Sequence, residues 1–258
     1  MVAAFLSNWA QIPKQRVDGW SLSVVALCGF LLGPVIALLI TAFGDSGGLW
    51  AHLASTVLGK YVGNTLILMM GVGALAILFG VSSAWVITRY EFAGRGWFEW
   101  MLLLPAAIPA YIIAYTYTDF FEYAGPVQTA LRGFFGWQSA RDYWFPEIRS
   151  LGGATLVMAS VLYPYIYMVT RIAFRLTSAS LFEIALVHNK SQFWTVGLPL
   201  ARPAIMAGLA LVLMEVVSDF GTVEYFAIET ITLGIFNVWL GMNNIFAAAQ
   251  ISLVGFVF

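Results

Sequence analysis

The chain has 258 residues, 61% of them hydrophobic and 10% charged, with a net charge of −1 and a mean hydropathy of +0.86. Soluble domains carry about 25% charged residues, and no water-soluble core of this size absorbs so much apolar surface, whereas lipid solvates apolar helices directly. The scattered basic residues exclude a nucleic-acid-binding stripe, and the single cysteine, Cys28, excludes an internal disulfide or a cysteine-cluster metal site.

A spanning helix needs about 20 mostly apolar residues. Residues 1–19 form an N-terminal segment in which Lys14 and Arg16 precede an apolar run at 20–43. That run is longer than the about 7–15 residues of a signal-peptide core, so it is read as the first span. Further spans are predicted at 64–87, 98–121, 151–174 and 203–226. Pro105 and Pro109 in the third, and Pro164 in the fourth, remove backbone donors and predict kinks. A sixth apolar stretch starts near Ile245 and is uncharged as far as Phe258. It is too short to cross at about 1.5 Å per residue, which predicts an all-α bundle of about six spans with the last one truncated.

Orientation follows from charge. Lys14, Arg16, Arg89, Arg95, Arg171, Arg175, Lys190 and Arg202 fall on one side of this scheme, and Lys60, Arg132, Arg141 and Arg149 on the other. Short positive loops stay in the cytoplasm, so the N-terminus, the loop near Arg89 and the segment 176–202 are expected inside. The segment 122–150 is expected outside, with Trp137, Tyr143 and Trp144 suited to an interface.

The segment 176–202 is too long for a tight turn. Ser178 or Ser180 is a candidate helix cap, and Glu183 lies three residues beyond Ser180, the capping-box spacing. Leu198-Pro199 is expected to end this element, and Pro203 to open the next span. Glu183-Ile184-Ala185 followed by Leu198-Pro199 resembles the EAA loop of binding-protein-dependent ATP-binding-cassette permeases. The stretches from Tyr111 to Asp119, Tyr123 to Arg132 and Leu213 to Phe226 resemble the iron(III) branch of that family, and the whole chain is similar to the N-terminal half of its two-half members. Asn189 stands where the family has glycine, and Asn tolerates left-handed backbone. The stretch between Glu183 and Leu198 is three residues shorter than the family's, which predicts a rotated downstream face.

The resemblance implies an inner-membrane permease domain over 20–258 whose loop docks on a separate ATPase. Glu183, Ala185, Asn189, Leu198 and Pro199 would form that coupling loop. The implied partners are a dimer of ATP-binding subunits, a second permease half and a periplasmic binding protein, with lipid around the bundle. ATP and Mg would sit on the ATPase, and this chain would hold no cofactor. The sequence agrees, since its lysines, Lys14, Lys60 and Lys190, fall in no GxxxxGK[ST] phosphate loop. No nucleophile–base set suggests catalysis.

Glu215 and Asp219, four apart in the fifth span, are expected on one helix face. Intramembrane carboxylates usually face a polar cavity or a partner. With Ser218 and Thr222 they are candidates for the translocation pathway, and a structural hydrogen bond between spans is the other reading. Tyr111, Tyr115, Tyr117 and Asp119, with Tyr163, Tyr165 and Tyr167, offer oxygen ligands that suit a hard cation, but an interfacial belt or packing is the preferred reading. No metal site is expected at His52 or His188. The expected cargo is ferric iron. Sulfate, thiamine, polyamine or phosphonate import, a gradient-driven transporter and a truncated non-functional paralogue are the alternatives.

Overall fold

The computed structural model describes residues 18–256, so most of the 1–19 segment, with Lys14 and Arg16, lies outside the described residues. The helices in chain order are α1 (Gly19–Ala42), α2 (Leu49–Thr56), α3 (Leu58–Arg89), α4 (Arg95–Met101), α5 (Ala110–Phe121), α6 (Pro126–Phe135), α7 (Leu151–Leu176), α8 (Ala179–Val187), α9 (Leu198–Ser218), α10 (Gly221–Tyr225), α11 (Ile231–Phe236) and α12 (Ile245–Gly255). A 3-10 turn (Leu104–Ala107) links α4 to α5, and π turns occupy Phe193–Gly197 and Asn237–Gly241. Among the described residues there is no strand.

The core is a three-helix contact of α3, α7 and α9. Leu68, Val72, Ala76, Met158, Ile166, Tyr167 and Val212 are buried there. Glycine lets these backbones close up. A Cβ on Gly80 would lie 2.9 Å from the Ile166 Cβ, and one on Gly208 would lie 2.9 Å from the Ile166 Cα. Both neighbours of α7 therefore meet it at one residue. This is how apolar helices associate in lipid, where close van der Waals contact replaces the drive to escape water.

Helix starts have local causes. The Ser150 hydroxyl accepts from the Gly153 N–H (3.1 Å) and caps α7. The Asn244 amide oxygen accepts from the Ala247 N–H (2.9 Å) and caps α12. Each satisfies a backbone donor that the first turn leaves unpaired.

Among the described residues four helices are long and apolar enough to cross a membrane: Gly19–Ala42, Leu58–Arg89, Leu151–Leu176 and Phe193–Ser218. Three sequence expectations change. The third crossing is not one helix: Arg95–Ala107 and Ala110–Phe135 are bent by 99° across the break, and they make a fifth span only if taken together. Pro105 is the second residue of the 3-10 turn and Pro109 precedes α5, so the two prolines break the helix rather than bend it. The fifth crossing ends at Ser218, not near Phe226, because Asp219 leaves the helix with extended backbone. The sixth stretch is preceded by another short apolar unit, so Ile231–Gly241 and Ile245–Gly255 form a pair of short helices. By contrast α7 is one helix through Pro164.

The pieces between spans are ordered. In the segment 122–150 the rings of Phe135, Trp137 and Tyr143 stack at 4.6 and 4.7 Å. Arg132 donates to the Tyr123 carbonyl (2.8 Å) and the Tyr143 hydroxyl (3.0 Å). Arg149 pairs with Glu122 at 2.6 Å. A second, smaller core of Leu53, Ile231, Val238, Ala247, Ala248 and Ile251 ties α2, α11 and α12 together.

Candidate functional site

α8 follows α7 after only Thr177 and Ser178. The predicted capping box does not form. The Ser178 and Ser180 hydroxyls bond each other at 2.8 Å, and no ion pair among the described residues includes Glu183, which is exposed. α8 is instead held from its underside. Phe182 and Ala185 are its buried residues. The Trp85 ring of α3 is the hub, with the rings of Phe174, Phe182 and Phe193 packed edgewise at 5.3, 6.0 and 5.0 Å. Gly197 gives that indole its room, since a Cβ there would lie 2.6 Å from it. A polar clamp closes the same seam: Arg89 donates to the Gln192 side-chain oxygen (2.9 Å), and the Gln192 amide donates to the Phe182 carbonyl (3.1 Å). Arg89 also lies over the Phe182 ring at 5.1 Å.

The end of α8 fulfils the expectation for Asn189. Its φ is 52°, its N–H bonds the Leu186 carbonyl (2.9 Å), and the Lys190 N–H bonds the Ala185 carbonyl (2.8 Å). These are the two bonds of a Schellman helix end, whose left-handed residue is usually glycine and sometimes asparagine. Leu198-Pro199 does not end the element, as the sequence suggested. The π turn runs straight into α9, where Pro199 occupies the first turn and Pro203 lies inside the helix. A π turn changes the angular phase of a helix, and this one falls between Glu183 and Leu198.

The outer surface of α8 stays open. Leu181, Ile184 and Leu186 are exposed beside Glu183, and Val187 is 83% exposed. The coupling-loop candidates therefore divide: Glu183 and Asn189 face out, Ala185 packs inward, and Leu198 and Pro199 belong to the root of α9.

The pathway candidates also divide. Glu215 and Asp219 do not share a helix face, because Asp219 lies beyond the helix end. Its carboxylate accepts from the Thr222 N–H (2.8 Å), the Val223 N–H (3.3 Å) and the Thr222 hydroxyl (3.0 Å). Asp219 thus caps α10, with Thr222 fully buried. The Ser218 hydroxyl bonds back to the Met214 carbonyl (2.9 Å). Glu215 is part-exposed and in no ion pair among the described residues. A cavity of about 520 Å³ lies between α5 and α10, lined by Tyr111, Ile112, Tyr115, Gly221, Glu224 and Tyr225. Tyr167, in contrast, is buried and its hydroxyl donates to the Glu99 carbonyl (3.3 Å), a packing role. Among the described residues no cluster of three or more His, Cys, Asp or Glu could hold a metal ion.

Sequence reasoning missed the Trp85–Arg89–Gln192 clamp and a second ionic group. Glu99 of α4 pairs with both Arg171 and Arg175 of α7, the latter at 3.0 Å. Its signal was present: a lone acid near the start of one apolar run and two arginines four apart at the end of the next.

No family model matches the chain. Over 195 residues it is 26% identical to an Fe(3+)-transport system permease protein of Haemophilus influenzae, covering 74% of this chain and 34% of that protein. The chain thus spans about a third of that relative's length. It is 27% identical over 208 residues to a probable sulfate transport system permease protein of Nephroselmis olivacea (79% of this chain, 70% of that one). It is 26% identical over 163 residues to a molybdenum transport system permease protein of Escherichia coli (60% and 68%). Among solved structures, a bacterial alginate ABC transporter in complex with an alginate-bound periplasmic protein matches with a TM-score of 0.68 at 18% identity, covering 92% of this chain and 88% of that chain. A bacterial ABC transporter involved in alginate import matches with a TM-score of 0.67 at 19% identity, covering 98% and 92%. The chain is an all-α, multi-pass membrane protein with the fold of ABC importer permeases, and it resembles such permeases in sequence over most of its length.

Proposed function

We propose that this chain is a permease subunit of an ATP-driven importer in the bacterial inner membrane, and that its cargo is ferric iron. The observation that carries the first part is the seating of α8. A short helix is clamped to α3 by Trp85 and Arg89, and its far side presents Leu181, Glu183, Ile184 and Val187 to a partner. A surface of apolar residues around one acid, fixed to two spans, suits a groove on a separate ATPase. That partner would bind ATP and Mg, and its closure would push α8. The permease would then shift between inward-open and outward-open arrangements. A second permease half completes the pathway, and a periplasmic binding protein delivers the cargo.

Two things support ferric iron over an oxyanion. One relative carries an Fe(3+)-transport name, although others carry sulfate and molybdenum names. The cavity between α5 and α10 carries the Glu224 carboxylate and three tyrosine hydroxyls, with Arg149 donating to that of Tyr225 at its edge (3.3 Å). Oxygen donors around a carboxylate suit a hard cation.

The test of the subunit reading is co-purification with the ATP-binding subunit. Glu183→Ala is expected to reduce recovery of that subunit without reducing recovery of the permease, and equal recovery would contradict the proposed docking. For the cargo, ATP-dependent uptake of labelled ferric citrate is expected, and uptake of labelled sulfate instead would overturn the iron assignment.

A further inference from the structure

We propose that Glu99, held by Arg171 and Arg175, is a strut that carries movement of α8 to the broken third crossing. The proposal rests on the importer reading above and goes beyond it by naming the positioning residues.

α4 has no buried residue. Trp97 and Trp100 are 79% and 72% exposed, and Phe98 and Met101 are exposed as well. Apolar packing therefore does little to set its rotation, and a helix of seven residues does not hold itself. Its hold on the bundle is polar. One carboxylate oxygen of Glu99 meets Arg171 and the other meets Arg175, while the Glu99 carbonyl accepts from the Tyr167 hydroxyl. The Arg171 and Glu99 side chains are only 16% and 19% exposed. A charge left unpaired in such a place is costly, so the group holds together as a unit.

The two ends of this unit face different machinery. Arg171 and Arg175 lie in the last turns of α7, and only Thr177 and Ser178 separate the end of α7 from α8. A push on α8 thus reaches them through a continuous helix and a two-residue joint. On the other side, Leu102 and Leu103 directly follow α4 and pack on the core, which makes them a pivot. Beyond the pivot lie the 99° bend and α5, whose Tyr111 touches Gly221 and whose Tyr115 packs on Tyr225 at 5.9 Å. Glu99 therefore sits on the short arm of a lever whose long arm is α5, beside the α9–α10 break. Because bonding holds the strut closed, it transmits by staying intact.

The experiment uses the assembled transporter in proteoliposomes, with Cys28→Ser and spin labels at Gly59→Cys on α3 and Thr116→Cys on α5, both exposed positions. The distance between labels is read with and without ATP and Mg. The parent is expected to show a nucleotide-dependent shift. Glu99→Gln should reduce the shifted population at least about fivefold while the ATP-binding subunit still co-purifies. Glu99→Asp, which keeps a carboxylate facing Arg171 and Arg175, should retain most of the shift. Bridging Glu99→Cys to Arg175→Cys with a short bifunctional reagent should leave the shift intact. An unchanged shift in Glu99→Gln, a shift lost in Glu99→Asp, or a shift abolished by the bridge would each overturn the strut. Absence of the ATP-binding subunit from the parent preparation would instead contradict the importer reading, so the two failures are distinguishable.

Discussion

α1 and α7 are both long enough to cross a bilayer, yet they stand at opposite ends of the molecule's packing. α1 is the more apolar, and only Ala42 at its end is buried. α7 is the least apolar of the four long spans, and half of its central residues are buried. In water the order would be reversed. In lipid a leucine gains nothing by leaving acyl chains for protein, so helices meet where small residues allow close contact and where polar groups need partners. α7 supplies both, with Ala154, Ala159 and Thr170 buried and Tyr167 and Arg171 reaching Glu99. α1, whose contacts are chiefly with α12, leaves most of its apolar surface exposed.

The comparison is broken most directly by large aromatics. Trp85→Ala, at the hub under α8, is expected to cost about 3–5 kcal/mol, read as thermal unfolding of the purified protein in detergent. Phe30→Ala on α1, where the ring is 80% exposed, should leave that transition within about 0.5 kcal/mol. Equal losses would mean that α1 packs on protein.

Glycines give the next effect. Gly208→Leu should destabilise by about 1–3 kcal/mol through overpacking on Ile166. Gly33→Leu, with nothing within 4 Å, should be silent in the same assay or mildly favourable to helix. A smaller effect is expected from the cap of α7: Ser150→Ala should cost about 1 kcal/mol, whereas α1 has no side-chain cap to lose.

The smallest effect concerns the segment 122–150. Asp142 accepts from the Ser139 and Gln138 N–H groups at 2.8 Å each, and these bonds hold its carboxyl below the usual aspartate range. A depressed folded value means that the contribution is present at neutral pH and lost as pH falls through that lowered value. Fluorescence of Trp137, stacked on Tyr143, should therefore change only below the ordinary aspartate range. Asp142→Asn should remove that acid-dependent step.

The sequence made the long spans legible because length and apolarity decide who crosses a membrane. It did not locate the breaks. Pro105 and Pro109 announced a kink, but two prolines four apart with a 3-10 turn between them end one helix and start another. The stretch around Asp219 looked helical because apolar residues continue past it, while the Asp219 carboxylate competes for the Thr222 and Val223 N–H groups and starts a new helix there. Asn189 was legible, since a left-handed helix end needs glycine or asparagine. The Ser180–Glu183 spacing misled, because the nearby Ser178 hydroxyl took the Ser180 side chain. Trp85 was invisible as a site residue, since its partners lie in other elements and periodicity reports only local structure, while the charges of Glu99, Arg171 and Arg175 were visible but their pairing across helices was not.

The central claim is that α8 faces the cytoplasm, clamped to its spans and open to an ATPase. Its most direct test is side-specific labelling of Lys190→Cys in a Cys28→Ser background with a membrane-impermeant maleimide. The account predicts modification in inside-out vesicles and protection in right-side-out ones. Modification from the periplasmic face would contradict it.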